Sequence, residues 1–290
     1  MSVISQLKSL LPSGLRYRWH RLKLYLSFFR RGGRIKWNSK LGAFVAGKRL
    51  PSFRGAEPVE VVIRSGREFR RWIHFGESSE DMLHDWLVHI GPAETLWDIG
   101  SANGLEGCCA LQLTGCHVVF VEPFTPSIET ILKSLVIAER KAKKPLRYDV
   151  VQAAVSDSPS FGRLIMHTLP VPGETLNSVA VAIDSYGYGG ARRQSVGASQ
   201  WLKYITLDEM LACGLPAPTH LKIDVDGLED KVLAGGDRVL SNPALRQAAI
   251  EVNGPTRQKV EQTMNAKGFR LDGEFRHGRS ETYDLYFSRS

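Results

Sequence analysis

Five carboxylates stand where a chain of alternating strands and helices puts its ligand-binding groups: Asp98, Glu122, Asp224, Asp226 and Glu251. Asp98 closes the apolar run Leu96-Trp97 and is followed by Gly100-Ser101-Ala102-Asn103-Gly104, two glycines spaced G-x-x-x-G ahead of a helix-like run. Glycines there permit a tight turn and let a ligand approach the backbone. The dinucleotide pattern G-x-G-x-x-G fails, because Ala102 and Leu105 occupy its second and third glycine positions. A carboxylate beside such a turn attracts an ammonium and repels a pyrophosphate. Glu122 ends the next apolar run, Val118-Val119-Phe120-Val121, 24 residues after Asp98. An acid at the end of the second strand is where two ribose hydroxyls are held. S-adenosylmethionine (SAM), with an ammonium, a sulfonium and no phosphate, is the cofactor this pairing predicts.

The remaining acids suit proton removal. Asp224 and Asp226 follow the buried-type strand Leu221-Lys222-Ile223, and Glu251 ends Ala248-Ala249-Ile250. Acids at carboxyl ends of neighbouring strands face the ligand edge of an α/β sheet. Asp224, Asp226, Glu229, Glu251 and His220 are the candidate bases. Capping of the following helix is the competing role of Asp226 and Glu229, and His220 stands at the opposite strand end. Asp224, Glu251 and Asn253 are hard oxygen ligands that would suit Mg²⁺; no Cys/His spacing supports zinc.

The elements that must position these groups follow from periodicity. Strands and helices alternate from residue 95 onward, which predicts a parallel sheet with right-handed crossovers and helices on both faces. Ahead of it, residues 59–63 and 68–75 around Ser65-Gly66 read as a β-hairpin, and residues 79–90 as a short helix with Met82, Trp86, Leu87 and Ile90 inward. Residues 126–142 carry an amphipathic helix, and residues 147–155 the third strand. Residues 158–200, with the run Tyr186-Gly187-Tyr188-Gly189-Gly190, read as a long lid or binding loop. Thr206 and Glu209 have the spacing of a capping box.

The charge is unevenly spread. The 290 residues carry a net +8, yet residues 1–56 hold 13 Lys/Arg and no acid, leaving 25 basic and 30 acidic residues, a net of −5, in the rest. A basic N-terminal extension (1–56) therefore precedes the main domain (57–290). Leu15, Trp19, Leu22, Leu26 and Phe29 form a stripe at helical spacing, with Arg16, His20, Lys23 and Arg30 on another face. Such a helix suits packing on the protein's own body, on a partner, or on an anionic membrane. No apolar run reaches the roughly 20 residues that span a bilayer, and no secretory signal is apparent. Cys108, Cys109, Cys116 and Cys213 form no C-x-x-C pair and read as reduced thiols of a cytoplasmic protein.

The blocks Asp98-Ile99-Gly100-Ser101-Ala102-Asn103-Gly104, Val121-Glu122-Pro123, Ala154-Val155-Ser156-Asp157, Thr206-Leu207-Asp208 and Lys222-Ile223-Asp224-Val225-Asp226-Gly227-Leu228-Glu229 occur in that order. In this the chain resembles the FkbM-type SAM-dependent methyltransferases, over residues 57–290. The family usually has Glu where Asp226 stands, and Ala at the positions of Ser101 and Leu228. The resemblance implies a Rossmann-like class I fold of seven strands, the last antiparallel, and methyl transfer to a hydroxyl of a sugar, glycan or secondary metabolite. By position it implies that Asp98, Gly100, Ser101, Asn103 and Gly104 cradle the methionine end. It implies that Glu122 holds the ribose, that Ala154 and Asp157 border the adenine, and that the acids after the fourth strand face the transfer site. Two alternatives remain open: a SAM-binding protein without turnover, and a nucleic-acid-binding protein using the basic extension. No recognition motif supports the latter.

Overall fold

A computed structural model describes residues 25–26, 28–30, 32–50, 57–76, 81–166, 178–181, 184–186, 198–225, 227–277 and 280–289. Its centre is a seven-stranded sheet built from β4 (Thr95–Ile99), β5 (His117–Val121), β6 (Tyr148–Val151), β12 (His220–Ile223), β13 (Gln247–Asn253), β14 (Phe269–Arg276) and β15 (Thr282–Arg289). The strand order is β14-β15-β13-β12-β4-β5-β6. The five strands from β6 to β13 pair in parallel, while β15 is antiparallel to both neighbours. Counted along the sheet this is 3-2-1-4-5-7-6 with strand 7 reversed, the order of the class I methyltransferase fold. The order reverses between β4 and β12, and ligands of open α/β sheets bind outside the carboxyl ends at such a switch.

Apolar side chains cover both faces. On one, α3 (Leu105–Thr114) and α4 (Thr125–Lys141) pack with Leu96, Val118 and Phe120. On the other, α5 (Leu207–Ala212), α6 (Glu229–Ala234), α7 (Asp237–Ser241) and α8 (Gly254–Ala266) pack against Trp97, Val119, Leu221 and Ile250. The capping box at Thr206 forms as the sequence predicts, with reciprocal bonds to Glu209. Two helices follow Gly227, separated at Gly235-Gly236, where a Cβ on Gly235 would lie 2.2 Å from the Ser156 carbonyl oxygen. In helix α2 (Asp81–Val88) Met82, read as inward, is exposed, and His84 is buried instead. Cys108, Cys109 and Cys116 are buried free thiols, and Cys213 is exposed and free.

Three expectations are corrected. The hairpin is absent: Val59–Ile63 is strand β3, but residues 66–74 form helix α1 (Gly66–His74). Ser65 accepts from the Glu68 N–H and Glu68 bonds back to the Ser65 N–H, a capping box that starts a helix, and Phe69, Trp72 and Ile73 then fall on its buried face. The extension, set apart at residue 56 from the domain that follows, contains β1 (Arg34–Asn38) and β2 (Ala43–Lys48), and β3 pairs with β2. The boundary at residue 56 therefore runs through a sheet. The long loop is a second sheet, β10-β9-β8-β11-β7, comprising β7 (Ala154–Val155), β8 (Ser160–Met166), β9 (Ser178–Val181), β10 (Asp184–Tyr186) and β11 (Ala198–Ile205). Its long pair, β8 with β11, aligns residues 32 to 44 positions apart in sequence, which local patterning does not reveal. Gly187, Tyr188, Gly189 and Gly190 lie outside the described residues, as do the first 24 positions of the basic extension.

Within that extension the Tyr25 ring lies tilted against Phe69 of α1 and Phe28 meets it edge-on, while Leu26 and Phe29, members of the apolar stripe, are 46% and 50% exposed. The buried side of this segment is thus one residue out of phase with the stripe. Among the described residues no helix is long and apolar enough to cross a membrane.

Glu68 supplies a test of the α1 cap. Its Oε2 accepts from the N–H groups of Arg64 and Ser65 at 2.6 and 2.9 Å, yet burial raises its carboxyl from the ordinary 4.5 to about 7. A raised carboxyl contributes stability that is complete below its unfolded value and lost as pH rises through the folded one. Glu68→Gln should therefore gain stability relative to the wild type between pH 5 and pH 8, by about 1–3 kcal/mol. Urea denaturation at both pH values measures this; a difference that does not change with pH would refute it.

Candidate active site

The register of β12 on β4 sets Lys222 directly beside Asp98. Both are buried, and Lys222 Nζ lies 3.4 Å from Asp98 Oδ1. Around them Arg71 of α1 holds Glu106 of α3 at 2.8 Å, and Asp224, one residue past β12, lies 3.6 Å from Lys222 and 3.8 Å from Arg71. Three carboxylates face two cations. Burial raises the Asp98 carboxyl, opposed mainly by Lys222; the Arg71 guanidinium and Lys222 hold Glu106 below its ordinary range despite its burial. Neither Asp98 oxygen accepts a hydrogen bond from a described residue, and neither does buried Asn103 Oδ1. Arg71, Glu106 and Lys222 were not singled out as site residues. The available signal was a lysine inside an apolar strand, which needs a buried anion to pair with.

The glycine turn is shaped by contact with the fourth loop. Gly100 has φ +79, and a Cβ there would sit 1.8 Å from the Asp224 carbonyl oxygen, so only glycine fits. Gly104 has φ +72 and closes on Ile131. Ser101 turns inward: its hydroxyl donates to the Asp98 carbonyl at 2.6 Å and accepts from the Val121 N–H at 3.0 Å. Its side chain joins β4 to β5. Ala102 takes the left-handed conformation, φ 50, and its N–H donates to Glu122 Oε2 at 2.8 Å. Glu122 Oε1 accepts from the Phe124 N–H at 2.9 Å. Burial raises Glu122 to about 7, with Asp98 and Asp224 adding repulsion, which sets all three at one sheet edge. Ala154 packs in a small cluster with Phe124, next to Glu122. Asp157 is exposed and accepts hydrogen bonds from Ser156 and Ser158.

The candidate bases separate. Asp224 and Glu251 are half-buried at the carboxyl edge; Glu251 is raised to about 8 by burial, Asp224 and Asp284. Glu229 is committed to structure, accepting from the Gly227 N–H at 2.7 Å and the Thr256 hydroxyl at 3.1 Å. His220 lies at the other end of β12, 3.6 Å from Glu94, and burial lowers it to about 4. Asp226 lies outside the described residues. Of the three oxygen ligands considered for Mg²⁺, Asn253 is the N-cap of α8 and Asp224 faces Lys222 and Arg71. Glu251 instead stands with His277 and Asp284.

No protein-family model matches the chain, and no curated protein is significantly similar to it. Solved structures do align. The precorrin-6y C5,15-methyltransferase of Geobacter metallireducens is 11% identical, with a TM-score of 0.43, over 74% of this chain and 89% of that one. The magnesium protoporphyrin IX methyltransferase of Synechocystis, with bound SAM, is 10% identical at the same TM-score, over 79% and 86%. The ribosomal protein L11 methylase of Lactobacillus delbrueckii is 14% identical with a TM-score of 0.41, over 74% and 81%. The strand order itself, not these superpositions, defines the fold.

Lys222→Met keeps bulk but removes the cation between Asp98 and Asp224. Leaving a buried carboxylate uncompensated is expected to cost about 3–5 kcal/mol, with a smaller loss at low pH, where Asp98 takes up a proton. Adding Asp98→Asn should recover part of it. Chemical denaturation of the three variants measures the coupling; strictly additive losses would show that the pair does not interact.

Proposed function

We propose that this protein is a SAM-dependent methyltransferase of the FkbM type, acting on a hydroxyl of a sugar, glycan or secondary metabolite. The observation that carries the reading is the pair of buried acids at the ends of β4 and β5 around the Gly100–Gly104 turn. The residues fit the cofactor. Asp98 has Lys222 Nζ 3.4 Å from one buried oxygen and keeps capacity for a further donor, and buried Asn103 Oδ1 is placed to accept. Three carboxylates against two cations leave a surplus that an ammonium would neutralise. Glu122 uses one lone pair on each oxygen for backbone N–H groups and keeps others for two hydroxyls.

When bound, SAM supplies an electrophilic methyl group on a sulfonium. The chain's own part is alignment of the acceptor, exclusion of water and removal of the hydroxyl proton. Asp224 and Glu251 are the candidates for the last step. Their strands are adjacent, and Asp224 borders both the glycine turn and the Lys222–Arg71 cations. Incubation with labelled SAM and fractionated cell extract, followed by identification of the labelled molecule, tests the reading. Label appearing only in RNA, or SAM binding with no turnover on any fraction, would replace it.

Asp98→Asn and Glu122→Ala should each weaken SAM binding about ten- to a hundredfold, the loss of roughly 1.5–3 kcal/mol from a charged hydrogen bond. Because Glu122 titrates near 7, wild-type affinity should fall as pH drops from 8 to 6, while Glu122→Gln should show a flatter profile. Calorimetry with unchanged affinities would remove both assignments.

Asp224→Asn should lower methyl transfer at least about a hundredfold, as expected for loss of a general base, with SAM affinity nearly unchanged. Single-turnover rates alongside calorimetry separate the two effects. Full activity in this variant would leave Asp224 a structural role only.

A further inference from the structure

We infer that Glu251, His277 and Asp284 form a binding site for a first-row divalent cation such as Zn²⁺ or Mn²⁺. One ligand atom from each lies within 4.8 Å of the others. His277 Nε2 is 3.0 Å from Asp284 Oδ2 and 3.8 Å from Glu251 Oε2. With metal–ligand bonds of about 2.0–2.2 Å, donors sharing an ion stand roughly 3–3.5 Å apart. The Asp284 pair meets that spacing, and Glu251 reaches it by a small side-chain rotation.

Three separate segments meet here. Glu251 and Asp284 are directly opposed in the antiparallel pairing of β13 with β15, so two carboxylates share one face. Like charges in that relation are destabilising unless a cation intervenes, and Asp224 adds a third negative group to the field at Glu251. Lys222, the lysine acting on Glu251, is held between Asp98 and Asp224. His277 follows the end of β14, where its N–H donates to the Thr282 carbonyl and its own carbonyl accepts from Ser280 N–H and Oγ. The Phe275 ring meets the imidazole edge-on at 5.2 Å. The N–H and carbonyl of His277 are therefore both hydrogen-bonded, with its Nε2 beside the two acids.

One imidazole and two carboxylates favour borderline ions over Mg²⁺, which prefers an all-oxygen shell with several waters. The side chains of His277, Glu251 and Asp284 are 35%, 33% and 14% exposed, which leaves coordination positions open to water or a hydroxyl. Resting on the methyltransferase reading, a cation here would lower the pKa of an acceptor hydroxyl beside Glu251. The metal site does not depend on that reading.

Calorimetry of the tag-free full chain with Zn²⁺ alone, and loss of the free Mn²⁺ paramagnetic signal on adding protein, test the site without SAM. One ion per chain is expected. His277→Ala and Asp284→Asn should each weaken binding at least tenfold while circular dichroism confirms folding. No stoichiometric binding of either ion up to 1 mM, or binding that both site variants retain, would overturn the proposal. SAM affinity of the metal-free chain, measured separately, reports on the methyltransferase reading alone.

Discussion

The buried pair of Lys222 and Asp98 is the constraint around which the sheet edge is organised. Each side chain belongs to a central strand, and removing Lys222 would leave Asp98 a buried carboxylate with no cation beside it. Satisfying them at a separation longer than an ideal hydrogen bond leaves Asp98 able to take another donor. Arg71 and Glu106 extend the cluster to α1 and α3, so a helix outside the central sheet completes the charge balance of its ligand edge. Buried ionic groups add little net stability. Their concentration at one edge is therefore better explained by a ligand than by folding.

Three loops are tied together around this pair. The Gly100 turn lies against the Asp224 carbonyl, which joins the loops after β4 and β12. Ser101 and Glu122 join the loop after β4 to β5, through the Val121 and Ala102 N–H groups. The left-handed Ala102 is the one non-glycine residue with positive φ among the described residues, and its N–H is the group that Glu122 accepts. Strain there is consistent with a backbone shaped for a ligand as well as for folding. Glu122 is thus both a brace of the turn and an acceptor with capacity to spare.

Next to this edge, β15 runs against the parallel strands and brings Asp284 opposite Glu251. Reversal of the last strand has a chemical consequence. Strand β14 runs with the parallel strands, so the β14–β15 turn with His277 lies at the carboxyl edge, and β15 starts back from there with Asp284 near its beginning. A purely parallel strand would present its residues to the ligand edge only through its carboxyl-terminal loop.

The sequence by itself determined the central alternation, the Gly100–Gly104 turn, the strand-end positions of Asp98, Glu122, Asp224 and Glu251, and the Thr206 cap. These depend on spacing within a few residues, where side-chain periodicity and backbone conformation are set locally. The Ser65–Glu68 box was equally local, but the alternating run around it favoured a hairpin until burial of Phe69, Trp72 and Ile73 selected the helix. Tertiary structure alone decided the pairing of β2 with β3 and of β8 with β11. It also decided the inward turn of Ser101, the Arg71–Glu106–Lys222 cations and anions, and the meeting of His277 with Glu251 and Asp284. Each of those depends on strand register or helix packing between separate elements. A shift of one residue in register turns a side chain to the other face, so these contacts exist only once the whole sheet is formed.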